Sequence, residues 1–297
     1  MFPLLPLVIV VLLVAVPVML VRAHATIGEP RVTDWARAHG LELTADDRPL
    51  VADYLRRARV LRSWGAIAGL LLPTLVELGV GGRFEVAGFS SDGSVAPFQG
   101  PMTVFVGYLV GALCAELTVT RRTESASRSA SLVPRALADY LPRRLVSEQR
   151  ALGCAVALGV LALGAVPYEP SVTRPTWLGL LTGACVFAGF AVVLEALERW
   201  LVRRPQPFTD ASRVAADDAI RAQSVHALAG SGLALLWISL SGVSVGIAAS
   251  GVPLLIWTTG PLAAIAFALS IRAAMEIADR PWRVRRPIAH STGAAPT

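Results

Sequence analysis

A chain of 297 residues with 54% apolar side chains, 25 further glycines and a mean hydropathy of +0.59 carries more apolar surface than a water-soluble core can hide. Its net charge of +6 comes from 27 basic residues, all arginine, against 21 carboxylates. The absence of lysine excludes a retinal Schiff base, a phosphate-binding GxxxxGK loop, a pyridoxal phosphate lysine and a Ser-Lys dyad.

In chain order, seven apolar runs lie near 3–21, 63–80, 102–120, 150–168, 176–197, 227–249 and 253–274. Each approaches or exceeds the roughly 18–20 residues that cross a bilayer's hydrocarbon. The expected fold is an all-α polytopic membrane bundle: one lead-in span, three hairpins, and short cytoplasmic amphipathic helices. It divides the chain into 1–21 (first span), 22–122, 123–204 and 205–280 (each a cytoplasmic segment with its hairpin) and 281–297 (tail).

The arginines set the expected orientation. Residues 22–62 carry eight, 121–150 seven, 199–221 five and 272–286 five, while the alternate connections hold only Arg83 and Arg174. Because positive charge is retained on the cytoplasmic side, a 25-to-2 split places the N-terminus outside and the C-terminus inside the cell membrane. The small-x-small triplet Ala23-His24-Ala25 has the form of a signal-peptidase site. The preceding "MFPLLP" lacks a basic region, however, and an uncleaved first span fits the arginine pattern better.

Before its hairpin, the chain spells "ADYLRR" (52–57), and it nearly repeats this as "ADYLPRR" (138–144). "ASRVAADDAIRAQSVH" (211–226) reads as a weaker third copy. In 48–62, Leu50, Val51, Tyr54, Leu55, Ala58 and Leu61 recur at helical spacing opposite the arginines, so an amphipathic helix is expected. Pro142 must interrupt the second copy. Three such units in one orientation would form a parallel repeat.

Small residues four apart (Gly65/Gly69, Gly107/Gly111, Gly179/Gly183, Gly242/Gly246) offer close helix approach, which drives association in lipid. Trp64, Trp177 and Trp200 fall near span ends, where interfacial rings belong. Pro73 and Pro261 fall inside spans. Cys114, Cys154 and Cys185 lie within spans and read as small packing residues, with no metal-ligand spacing.

Candidate site residues are the carboxylates at the span edges. Glu116, Glu195 and Glu276 close the three hairpins, and Glu195/Arg199 and Glu276/Arg280 are spaced to pair along one helix face at the inner interface. Glu77, after Pro73 and before Arg83, sits near the outer face. Glu77, Arg83, Glu116 and Glu195 are the candidates for an ion or transport pathway, since an intramembrane carboxylate is a functional hypothesis by default. "GVSVG" (242–246) has the form of a nucleophile elbow, yet His226 lies about 27 Å away along the same helix, so Ser244 reads as packing. His226 itself reads as an interface residue.

No catalytic constellation and no cofactor motif emerges. The expectation is a non-catalytic membrane component that assembles, anchors or regulates partners. The alternatives are a transporter or permease subunit for a small solute or ion, and a membrane-embedded enzyme acting on lipid. Expected partners are the bilayer, anionic headgroups at the cytoplasmic arginines, and other membrane proteins or further copies of the chain, with no nucleic acid. "WARAHGLELT…ADYLRRAR", "GYLVGALCAEL" and "SLVPRALADYLP", in an arginine-only, alanine- and glycine-rich style, resemble multipass membrane proteins of high-GC actinobacteria over most of residues 30–145. That likeness implies the multipass fold and brings no activity, ligand or site residue with it.

Overall fold

The structure, a computed structural model, describes residues 16–18, 20–21, 24–81, 85–86, 89–90, 99–119, 136–168, 175–203, 211–248, 250 and 252–277. The elements are α1 (Glu29–His39), α2 (Arg48–Gly81), α3 (Gln99–Val119), α4 (Leu137–Tyr140), α5 (Arg143–Ala162, continued by a 3₁₀ turn at Leu163–Ala165), α6 (Trp177–Arg203), α7 (Ala211–Ala248) and α8 (Pro253–Arg272), whose end passes into π-helix at Ala273–Ile277. Between α2 and α3, β1 (Glu85–Val86) pairs antiparallel with β2 (Phe89–Ser90). Among the described residues, the regular structure apart from this bridge is helical.

Local chemistry explains the breaks. Pro30 in the first turn and Glu29 at the N-terminal end start α1, and Gly40 ends it in the left-handed conformation (φ 68°) with its N–H turned back to the carbonyls of Ala36 and Arg37. Pro142 separates α4 from α5 as its missing N–H and fixed φ require. No such breaker follows the first and third arginine-tipped segments. Each runs unbroken into the apolar stretch behind it, so α2 reaches about 51 Å and α7 about 57 Å at 1.5 Å per residue.

Among the described residues, four helices, Arg143–Ala165, Trp177–Arg203, Ser212–Ala248 and Pro253–Glu276, are long and apolar enough to cross a membrane, and Thr103–Thr118 is a shorter apolar helix. Their outer surfaces expose Leu158, Leu178, Val192, Leu254, Trp257 and Ile265, the last at 57% and Trp257 at 81%. A protein in water does not leave so continuous an apolar face unpaired; this one is a membrane protein in its build.

The helices pack as consecutive antiparallel pairs: α2 with α3, α5 with α6, and α7 with α8. In the first pair the glycines expected to permit close approach do so. A Cβ on Gly65 would lie 2.7 Å from Gly111 Cα, and one on Gly107 would lie 2.7 Å from Gly69 Cα, so these backbones touch directly. In the second pair Gly153 faces Ala191. In the third, the Ser241 hydroxyl donates to the Ala263 carbonyl at 2.9 Å. Gly179, Gly183, Gly242 and Gly246 make no backbone-to-backbone contact of this kind.

α7 is the axis of the bundle, packed against α3, α5, α6 and α8. Every residue from 216 to 234 is buried. A helix buried all round belongs at the centre of a bundle, so the third amphipathic preface is interior from residue 216 onward, while Arg213 ahead of it is exposed. The N-terminal ends of α2, α5 and α7 and the C-terminal ends of α3, α6 and α8 share one end of the molecule. There α1, α4 and the extensions of α2, α6 and α7 form a packed cap with two clusters. One joins Val32, Val51, Tyr54 and Ile220; the other joins Tyr140, Leu141, Leu201, Val202, Ala222 and Val225. Leu109, Leu152, Leu233 and Leu236, and then Val156, Leu180 and Val243, continue the core toward the other end.

Candidate functional site

The two "ADYL" copies do the same structural work. Tyr54 in α2 and Tyr140 in α4 are buried (4% and 2% exposed), and each anchors its segment against the first half of α7. The aspartates beside them serve locally: Asp53 pairs with Arg57, and the Asp139 carboxylate accepts the Ala136 N–H at 3.0 Å. The Tyr140 hydroxyl donates to Asp218 at 3.5 Å, and the Tyr140 carbonyl accepts the His226 Nε2–H at 2.9 Å. Sequence reading placed His226 at an interface; it is 2% exposed, because α4 folds back over it.

Around this half of α7 the cap concentrates buried charge. Arg221, with 2% of its side chain exposed, donates to Asp217 at 3.0 Å and to the Val202 carbonyl of α6 at 3.1 Å. Glu116, at the end of α3, is 1% exposed; Arg62 of α2 lies 3.8 Å away, with the Tyr54 and Ser224 hydroxyls beside its carboxyl. Gln149 of α5 donates to Glu198 of α6 at 2.6 Å, both fully buried. Arg150 grips Glu195 with both arms of its fork (Nε to Oε2 at 2.8 Å), and Arg199 joins the same carboxylate. Such pairs offset the cost of removing charge from water only when their geometry is met. Here Arg62–Glu116 ties α2 to α3, Gln149–Glu198 and Arg150–Glu195 tie α5 to α6, and Arg221 ties α7 to α6 through the Val202 carbonyl.

The expected site residues fare unequally. Glu116 and Glu195 are buried in this network, and Glu195/Arg199 forms the anticipated pair along α6. Glu195 also reaches across to Arg150, which linear spacing did not disclose. Glu276 is half-exposed and pairs with Arg272, one turn earlier, at 3.0 Å. Arg280, Arg83 and the side chain of Glu77 lie outside the described residues. Arg221, Asp217, Gln149 and Glu198 were not singled out from sequence. Their one signal was polar residues inside long uninterrupted helical patterns.

The three cysteines are free, and all are exposed on outward helix faces rather than packed inside, a correction to the packing role their size suggested. The Ser244 hydroxyl donates to the Leu240 carbonyl of its own helix at 2.9 Å, so it is engaged with the backbone. Trp64, Trp177 and Trp200 are each at least 47% exposed, as interfacial rings would be. Among the described residues, no group of three His, Cys, Asp or Glu could hold a metal ion.

Among the described residues, clefts open on the cap at two places. One, of about 420 Å³, lies between α1, α2, α3 and α7. The other, of about 780 Å³, lies between α5, α7 and α8; Arg144, Glu148, Arg272 and Glu276 line it, with His226 and Trp237 deeper. Comparison with family models, curated proteins and solved structures finds no match to the chain.

Proposed function

We propose that the chain is a seven-span protein of the cell membrane, N-terminus outside, whose cap is a non-catalytic cytoplasmic platform that anchors, assembles or regulates a membrane partner. The observation that carries this reading is the separation of the molecule into two parts. Among the described residues, the interhelical ion pairs, the buried Arg221–Asp217 pair and the two clefts gather at the arginine-rich end. In the apolar part, Ser241, Ser244 and Ser270 donate their hydroxyls to backbone carbonyls and present no polar path. The 25-to-2 arginine split supports placing the cap inside. Helices near 51 and 57 Å long support it too, since about 30 Å suffices for the hydrocarbon and the rest extends the cap into the cytoplasm. The three hairpins, each preceded by an arginine-tipped segment, support a parallel repeat whose third preface has moved to the interior.

The test is purification of the tagged full-length protein in mild detergent, with mass spectrometry of what accompanies it. The expected result is a stoichiometric membrane-protein partner that is lost when exposed cap arginines Arg56, Arg143 and Arg144 are changed to glutamine. A protein that emerges alone and catalyses uptake of a solute after reconstitution overturns the platform reading in favour of transport.

A further inference from the structure

The smaller cleft has a chemical character of its own. α1 forms its roof, through Arg31 and Trp35; α2 forms one wall, through Tyr54, Arg59 and Arg62; and Tyr108 of α3 lies at its floor. Arg31 is exposed on α1. Arg59 is half-buried and holds the Ala25 carbonyl at 3.4 Å, which ties the incoming chain to the cleft wall. Arg62 is largely buried, with its guanidinium 5.9 Å above the Tyr108 ring and Glu116 behind it. The one carboxylate on the lining, Asp34, is engaged by Arg37 at 3.0 Å. Three guanidinium groups from two helices therefore converge on a space walled by aromatic rings and by Leu55 and Ala58. A fork of N–H donors beside an apolar wall suits a phosphate that carries a hydrocarbon tail.

Depth along the helix identifies the source of that phosphate. Trp64, 47% exposed, lies two residues beyond Arg62, where an amphipathic ring marks the membrane–water boundary. From Leu61 through Gly65 and Gly69 the α2 backbone stays in close contact with α3 into the apolar run. The cleft thus begins in the cap and ends at the level where lipid headgroups lie.

We infer that the cleft between α1, α2 and α3 is a specific binding site for the phosphate of an anionic phospholipid headgroup, held by Arg31, Arg59 and Arg62. The lipid's phosphate sits between the roof and wall arginines, and its glycerol and first acyl carbons pass Tyr108 onto the outer surface of the α2–α3 pair. A lipid so held locks α1 onto α2 and would tie the cap's geometry to the composition of the inner leaflet. The inference rests on the membrane reading of the chain.

The test uses full-length protein in a non-ionic detergent, titrated with phosphatidylglycerol or phosphatidylcholine and read by native mass spectrometry. The account expects retention of phosphatidylglycerol over phosphatidylcholine. It also expects a loss of roughly tenfold to thirtyfold when Arg31→Gln and Arg59→Gln are combined, as two basic groups near a headgroup imply. Arg203→Gln, at an exposed arginine of the same end outside the cleft, should leave retention unchanged. Ala38→Glu, which sets a carboxylate on the roof, should abolish retention without touching any arginine, and so covers a double variant that fails to fold. Equal retention of both lipids, or an equal loss with Arg203→Gln, would overturn the site. Displacement of the lipid by millimolar inorganic phosphate would show a soluble-phosphate site and overturn the lipid assignment. Failure of the membrane reading would appear separately, as protein that stays monodisperse without detergent.

Discussion

The cap and the apolar part of the bundle hold together by different physics. In the apolar part there is no water to expel between helices, so close backbone approach at Gly65, Gly69, Gly107 and Gly111 and hydroxyl-to-carbonyl bonds such as Ser241 to Ala263 carry association. In the cap, helices meet through buried aromatic and aliphatic clusters and through polar contacts such as Arg221 to the Val202 carbonyl and the Arg150–Glu195 ion pair. α7 passes through both regimes, which is why its first half can carry Asp217, Asp218, Arg221 and His226 in the interior while its second half is built of Leu, Ala, Gly and Ser. One helix is therefore both the polar centre of the cap and the small-residue axis of the span region.

The sharpest way to break the comparison is Arg221→Ala. It leaves Asp217 buried beside an emptied site, and the expected loss is about 3–5 kcal/mol, read as a large fall in melting temperature in detergent. An unchanged melting temperature would mean that Arg221, with its bonds to Asp217 and to the Val202 carbonyl, does not hold α7 against α6. Gly107→Leu tests the other regime. A side chain there meets the α2 backbone, so a cost of about 1–3 kcal/mol or more is expected, seen as lost monodispersity or early melting. Gly260→Ala, where an added Cβ meets nothing within 4 Å, should instead be neutral or stabilise by up to about 1 kcal/mol.

A smaller effect is expected from pH. Burial against Trp35 pushes the His39 pKa below its usual 6.5, despite the Trp35 carbonyl at 2.8 Å from Nδ1 and the Gln223 side chain. The neutral ring is thus favoured in the folded cap. Its contribution is fully present above pH 6.5 and is lost as the pH falls from there through the lower folded value. Melting should therefore come earlier near about pH 5 than near about pH 7.5, and His39→Gln should shrink that difference. Smallest is Ser241→Ala, which removes one interhelical bond in the apolar part at about 0.6 kcal/mol.

Much of the apolar part was legible in the sequence because its rules are local: run length, glycines four apart, tryptophans at span ends. The Glu195–Arg199 pair was legible for the same reason, since one turn of helix determines it. The cap was not. Residues 211–226 alternate charge and apolar groups as a surface helix would, and only packing of α3, α4, α5 and α6 around them turns that pattern inward. Arg62–Glu116, Gln149–Glu198 and Arg150–Glu195 join residues 45 to 54 positions apart, a relation that no spacing rule predicts. The cysteines erred the other way. Their size suggested packing, but in a bundle bathed in lipid a small apolar side chain is as much at home on the outside.

The central claim is that the cap faces the cytoplasm. The direct measurement compares C-terminal fusions to alkaline phosphatase, active only outside the cytoplasm, and to a green fluorescent protein, bright only within it. The account predicts a fluorescent fusion and an inactive phosphatase at equal protein levels. An active phosphatase with a dark fluorescent fusion would place the arginine-rich end outside and contradict it.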